Sequence, residues 1–178
     1  MNNMKIEIFD DYVDHTTKSN IYACCRHSLF NLGWEDSDEI EKNQYKNLHC
    51  TWKIDQLVNS RILPFVKKAF DDSNNFKQYY NLEKLWRCEI NFVKPTDIHF
   101  IHSHKDKVVA LYYVNLNWSD GYYGETLFFE QNLKNVLYTS IFKPGRIILF
   151  DGDIPHSIRP QSVIAPRERF TLSLFFDK

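Results

Sequence analysis

The pattern of apolar and polar positions changes once along the chain, near Lys84. Before that point apolar residues recur with the period of a helix. Ile21, Cys24, Cys25, Ser28 and Leu29 share one face, which predicts a helix over Thr16 to Leu32. Ile54, Leu57, Val58, Ile62, Phe65, Val66 and Phe70 share another, which predicts a second helix from Ile54 to Phe70. Pro64 should kink or split that helix, and the polar run Asp71 to Asn75 should end it. A short strand, Lys5 to Phe9, precedes both.

From Lys84 onward the period is two, the period of strands. Strands are predicted at Leu85 to Val93, Ile98 to His104, Val108 to Leu116, Glu125 to Glu130, Asn135 to Ile141, Arg146 to Phe150 and Arg169 to Phe176. Turn residues fall between them: Pro95-Thr96-Asp97, Asp120-Gly121, Pro144-Gly145 and Asp151-Gly152-Asp153. Two helices followed by seven or eight short strands predict a mainly β, α+β architecture. The expected form is a jelly roll (a double-stranded β-helix of the cupin kind) with the helices packed on one sheet. The length, 178 residues, suits one domain. Residues 1–83 would form a helical support and residues 84–178 the jelly-roll core.

Composition narrows the function classes. Aromatic residues make up 16% of the chain, which fits a packed globular core rather than a disordered segment. The net charge of −1 supplies no general field for nucleic acid or an anionic membrane. No stretch approaches the ~20 apolar residues of a membrane span. Residues Met1 to Lys5 lack the apolar run of a signal peptide, so a cytoplasmic protein is expected. The four cysteines, Cys24, Cys25, Cys50 and Cys88, fit no common zinc spacing and are expected as free thiols.

The candidate chemistry lies in the second half. His102-Ser103-His104-Lys105-Asp106 is followed by His156 and, thirteen residues later, by Arg169. Two histidines or a histidine and a carboxylate two residues apart on a strand point the same way. With a distant histidine they can form the three-ligand face of a non-haem Fe(II) site that keeps open positions. His104 with Asp106 meets that rule, and His102 with His104 meets it equally. A carboxylate is the usual third ligand, so His104, Asp106 and His156 are preferred, with His102 as the alternative. Arg169 can pair a carboxylate bidentately, and Ser173, four residues on, shares its strand face and adds a hydroxyl. Arg159 is the best substitute for Arg169, ahead of Arg146 and Arg167.

Five stretches in order carry a family resemblance. They are Leu-Tyr-Tyr-Val-Asn-Leu-Asn-Trp (111–118), Gly-Glu-Thr-Leu-Phe-Phe (124–129), Lys-Pro-Gly-Arg-Ile-Ile-Leu-Phe-Asp (143–151), Ile-Pro-His-Ser (154–157) and Arg-Phe-Thr-Leu-Ser (169–173). Together, over residues 84–178, they resemble the catalytic domain of 2-oxoglutarate/Fe(II)-dependent dioxygenases of the prolyl-hydroxylase type, in particular small bacterial and phage members. The resemblance implies that His156 is the distal iron ligand and that Arg169 pairs the C5 carboxylate of 2-oxoglutarate. It implies that Ser173 and Tyr113 assist Arg169, and that Asn115 and Trp118 are structural or pocket residues. The implied cofactors are Fe(II) and 2-oxoglutarate, with ascorbate a candidate stimulant.

One departure from the family pattern stands out. Only five residues separate Asp106 from Tyr112, fewer than the family carries there. In that shorter register His102 takes the first ligand position and His104 the place of the carboxylate.

The expected activity is hydroxylation of a C–H bond, with O2 consumed and 2-oxoglutarate converted to succinate. The substrate would be a peptidyl proline, another residue, or a small amino-acid-like metabolite. Nucleic acid and membrane are not expected as partners, and the chain would act as a monomer or homodimer. The alternative is a non-catalytic cupin-like binding module, or one metallated by three histidines without 2-oxoglutarate.

Overall fold

The computed structural model of the protein describes residues 6–34, 46–57, 59–71 and 82–178. Among the described residues ten strands and three α-helices follow in the order β1 (Ile6–Phe9), α1 (His15–Arg26), β2 (Asn31–Trp34), β3 (Asn47–Lys53), α2 (Ile54–Leu57), α3 (Leu63–Asp71), β4 (Leu85–Val93), β5 (Lys107–Tyr113), β6 (Thr126–Phe129), β7 (Val136–Ser140), β8 (Ile147–Asp151), β9 (His156–Ile158) and β10 (Arg169–Asp177). Two antiparallel sheets result, one of seven strands in the order β1-β8-β5-β10-β4-β3-β2 and one of three in the order β7-β6-β9. The predicted mainly β jelly roll is the observed fold.

The large sheet is buried on both faces by different material. On one face Ala110, Tyr112, Leu172, Leu174, Ile90 and Leu149 meet the helices, through Ile21 and Cys25 of α1 and Val66 of α3. On the other face Val109, Leu111, Tyr113, Ile148, Phe150 and Phe175 meet Phe128 of the small sheet and Phe142. Period-two alternation sorts each strand between these two cores.

Helix α1 starts where Asp14 caps it, accepting from the Thr17 backbone N–H at 2.9 Å and from the Thr17 hydroxyl at 2.6 Å. It ends at Arg26, short of the predicted Leu32. Residues 31–34 pair with β3 instead, and that pairing overrides the helical period. The long second helix is split. Pro64 falls in the first turn of α3, where a missing N–H is harmless. Of the polar run Asp71 to Asn75, residues 72–75 lie outside the described residues, as does Lys5.

The strands predicted at Leu85 to Val93 and at 108, 125, 135, 146 and 169 are present within a few residues of their expected bounds. The strand predicted at Ile98 to His104 is absent: only an isolated bridge joins His102 to His156. The partner segment cannot continue a ladder, because it folds into a turn in which the Ile154 N–H bonds the Asp151 carbonyl at 3.0 Å. All four cysteines are free thiols, as expected.

Leu172 is fully buried at the centre of the large sheet. Leu172→Ala is expected to destabilise the fold by about 2–5 kcal/mol, read as a lower urea midpoint at unchanged m-value.

Candidate metal and anion site

Three histidines converge although only His156 stands in a strand. His102 and His156 exchange backbone hydrogen bonds of 3.0 and 2.9 Å. The His104 N–H donates to the Gly152 carbonyl at 2.7 Å, and the Gly152 N–H donates to the Lys107 carbonyl at 2.8 Å. Two loop segments are thus zipped together, and their side chains meet. His102, His104 and His156 can each offer a nitrogen, all within 4.8 Å of one another. The ring centroids are 4.5 to 5.1 Å apart.

Apolar rings fix their orientation. Phe175 meets His104 edge-on at 4.8 Å, and Phe150 meets His156 at 4.9 Å. Nδ1 of His156 lies 2.9 Å from the Ile154 carbonyl, and Nδ1 of His102 lies 3.1 Å from the Phe100 carbonyl. A carbonyl only accepts, so Nδ1 carries the proton and Nε2 keeps its lone pair for a ligand. Burial holds the His156 imidazole well below its usual pKa, and the neighbouring His102 and His104 add to the effect. Burial, then His102 and Arg87, push His104 down to about 3. Both rings are therefore neutral at physiological pH, the form that binds a divalent metal.

Asp106 does not join this group. It is exposed, with φ of +58°, in the turn after His104, and its backbone N–H bonds Asp153 Oδ1 at 3.2 Å. The period-two argument that paired it with His104 requires an extended chain, and the chain bends between them. The preference for Asp106 over His102 is therefore corrected: the residues brought together are the three histidines.

Arg169 opens β10 and is fully buried. Its Nε and Nη2 donate to the Gly124 carbonyl at 3.1 and 2.8 Å. Its guanidinium carbon lies 4.8 Å from the Phe142 ring and 5.7 Å from the Tyr113 ring. Nη1 is buried with no hydrogen-bond partner. Burial lowers its pKa to about 10, opposed by Tyr113 and Glu125, so it stays charged at neutral pH. A buried cation with a free N–H is a receptor for an anionic oxygen. Gly124, at φ +83°, makes room: a Cβ there would stand 3.0 Å from Arg169 Nε.

Asn115 positions Arg169 from both sides. Its Nδ2 donates to the Glu168 carbonyl and its Oδ1 accepts from the Phe170 N–H, each at 2.8 Å. Trp118 donates from Nε1 to the Tyr123 carbonyl at 2.8 Å and packs on Phe142. The Tyr113 hydroxyl is buried, 2.8 Å from Thr126 Oγ1. Ser173 is on the Arg169 face of β10 and lines the cavity that the histidines share. Two of the other candidate arginines are engaged elsewhere. Arg146 forks onto Asp10 at 2.8 and 2.9 Å, and Arg159 stacks on Tyr123 and pairs Glu125 at 3.5 Å.

Sequence reasoning missed the rest of the cavity wall: Asn47, Glu89, Asn91, His99 and Thr171. Arg87, Glu89 and Asn91 alternate with Cys88, Ile90 and Phe92, a pattern that ordinarily marks a solvent face. Here that face is closed by the second sheet.

The fold defines the class: a jelly roll whose cavity is lined by a histidine cluster, with a buried arginine on the central strand. Solved structures sharing it include a prolyl-4-hydroxylase of Pseudomonas putida (TM-score 0.69, 15% identity, 99% of this chain and 94% of that one). A prolyl hydroxylase from Trichoplax adhaerens, in complex with a peptide fragment of a hypoxia-inducible-factor degradation domain, matches at TM-score 0.69 and 16% identity, over 99% of this chain and 84% of that one. The alpha-ketoglutarate-dependent epimerase SnoN of nogalamycin biosynthesis matches at TM-score 0.68 and 10% identity, over 98% and 77%. The chain thus has the fold of the 2-oxoglutarate/Fe(II) oxygenases, prolyl-hydroxylase type included. No protein-family description and no curated protein matches the sequence itself.

Gly152 lies where the two histidine-bearing segments cross. A Cβ there would collide with the His104 carbonyl and stand 2.8 Å from that of Lys107. Gly152→Ala is expected to cost about 1–3 kcal/mol by overpacking, read by urea denaturation. Gly33→Ala is the control, since nothing lies within 4 Å of a Cβ at that position.

Proposed function

We propose that the chain is an Fe(II)- and 2-oxoglutarate-dependent oxygenase that hydroxylates a C–H bond of an amino-acid-like or peptidyl substrate. One observation carries the reading. A three-histidine cluster shares a cavity with Thr171, Ser173 and Phe175 of β10, the strand that opens on the buried Arg169 with its free N–H. The shared fold supports it.

His102, His104 and His156 would hold the metal through imidazole nitrogens. Their donor type and number fit Fe(II), and three ligands leave open positions. Arg169 would take the distal carboxylate of 2-oxoglutarate on Nη1, with Ser173 and Tyr113 adding hydroxyls. When bound, iron and 2-oxoglutarate supply the two-electron oxidation of a C–H bond by O2, with succinate and CO2 released. The protein's part is to orient and to exclude water. Phe150 and Phe175 keep the histidine end apolar, and Asn115 holds Arg169 in register. A dianionic co-substrate would offset the charge of a metal held only by neutral ligands.

The three-histidine set also favours a second reading, a metal-binding cupin-like module or dioxygenase that takes no 2-oxoglutarate. Co-substrate binding separates the two. Mn(II)-loaded protein is expected to bind 2-oxoglutarate, and Arg169→Lys to weaken it about tenfold or more, because an ammonium cannot hold the Gly124 carbonyl as the guanidinium does and still present a fixed N–H to the carboxylate. Absence of 2-oxoglutarate binding to the metal-loaded wild type would leave only the second reading.

Metal titration tests the ligand set. His102→Ala, His104→Ala and His156→Ala should each abolish tight Co(II) binding, and Asp106→Ala should leave it unchanged. With Fe(II), ascorbate and a substrate, succinate release should require all three histidines. Chelation by EDTA should stop it, and Fe(II) should restore it.

A further inference from the structure

The cavity that the histidines share has a polar wall to which the metal and co-substrate roles proposed above assign nothing. Strands β3, β4 and β10 build it from Asn47, Glu89, Asn91 and Thr171. Asn91 and Thr171 are direct partners across the β4–β10 ladder, and Glu89 is paired there with Ser173, one step along the same face. The wall is deep: Asn47 is 4% exposed and Glu89 and Thr171 are each 1% exposed. Three of its polar atoms, Asn47 Nδ2, Asn91 Oδ1 and Thr171 Oγ1, are buried without a hydrogen-bond partner. Unpaired polar atoms are costly inside a protein, and three on one cavity wall mark a place for a polar ligand.

The chemistry of the wall selects the ligand. As placed, Asn47 presents a donor and Asn91 an acceptor, and the Thr171 hydroxyl can serve as either. Glu89 offers acceptors only. Its Oε2 takes the Thr51 hydroxyl at 3.2 Å and lies 3.6 Å from Arg87 Nε. Arg87 therefore answers its charge, and an ammonium ligand would find the counter-charge already engaged. A carboxylate ligand would meet the oxygens of Glu89 and Asn91. A neutral amide meets neither objection, because it brings one C=O and one N–H group to a wall that offers both partners. Because Glu89 and Thr171 are each 1% exposed, we expect the end of a ligand to reach the wall more readily than the middle of a chain.

We propose that this wall is the specificity pocket for a small substrate bearing a terminal carboxamide. Its carbonyl oxygen would accept from Asn47 and its N–H would donate to Asn91 and Thr171, which turns the adjoining carbons toward the histidines. The proposal rests on the oxygenase reading for the reaction alone, since binding needs no turnover.

Calorimetry on the Zn(II)-loaded protein tests it, with L-glutamine, L-glutamate, L-norleucine and an acetylated trialanine as probes. Glutamine is expected to bind at least tenfold more tightly than the other three. Asn91→Leu and Thr171→Val should each erase that preference while Zn(II) still binds. Asn47→Asp, which keeps shape and removes the donor, should do the same if Asn91→Leu does not fold. Equal binding of glutamine and norleucine would overturn the proposal. So would a preference that survives these variants, or trialanine binding as tightly as glutamine. A glutamine preference in a protein that releases no succinate would keep this pocket and overturn the oxygenase reading instead.

Discussion

The structure depends on the register of β10, the strand at the centre of the large sheet, with β5 on one side and β4 on the other. Its residues from Arg169 to Phe176 are all buried, yet they serve two different environments. Phe170, Leu172, Leu174 and Phe176 enter the core beneath the helices. Arg169, Thr171, Ser173 and Phe175 occupy the opposite face, toward the second sheet. A slip of one residue would exchange every side chain between the two. It would drive a guanidinium into hydrocarbon and fill the cavity with leucine. Each large apolar side chain correctly buried contributes about 1.5–3 kcal/mol. The same alternation that stabilises the fold therefore places the arginine.

The histidines obey a different constraint. Two of the three lie outside any ladder, on a segment held to residues 152–156 by backbone bonds and by the shape of Gly152. The arginine end of the site is built on a central strand and the histidine end on two zipped loops. Aromatic packing by Phe150 and Phe175 compensates for the missing ladder, because it leaves the His156 and His104 rings little room to turn. Preorganised neutral imidazoles lose little on binding a metal, which suits a centre that must also admit other ligands.

This division explains what could be read in the chain. Period two alone located β4, β5, β8 and β10, because each is a long central strand with two distinct faces. It also put Arg169 and Ser173 together. It failed at residues 98–104, where the apolar residues Ile98 and Ile101 are exposed and no continuous partner strand exists. The same assumption of extended chain wrongly favoured Asp106. The turn that excludes it depends on a left-handed backbone at an aspartate, which tolerates that conformation better than most residues. Strands β2 and β3 escaped notice because they are short or polar on one face, and their pairing is set by tertiary contact. The polar cavity wall was hidden for a related reason: an alternating strand does not reveal whether its polar side meets water or a second sheet.

Charge balance ties these pieces together. A divalent metal on three neutral imidazoles, with the Arg169 guanidinium on the same sheet face, would make the cavity strongly cationic. Asp106 offers no relief from solvent, and Glu89 already answers Arg87. The compensating charge has to arrive with a ligand, and a small dianion long enough to reach from the metal to Arg169 would provide it at both ends. Fold alone cannot make that selection, since the same jelly roll serves hydroxylases and an epimerase. The discriminating features are local: a cluster of three histidines without a carboxylate, an arginine with one N–H to spare, and a wall of unpaired polar atoms.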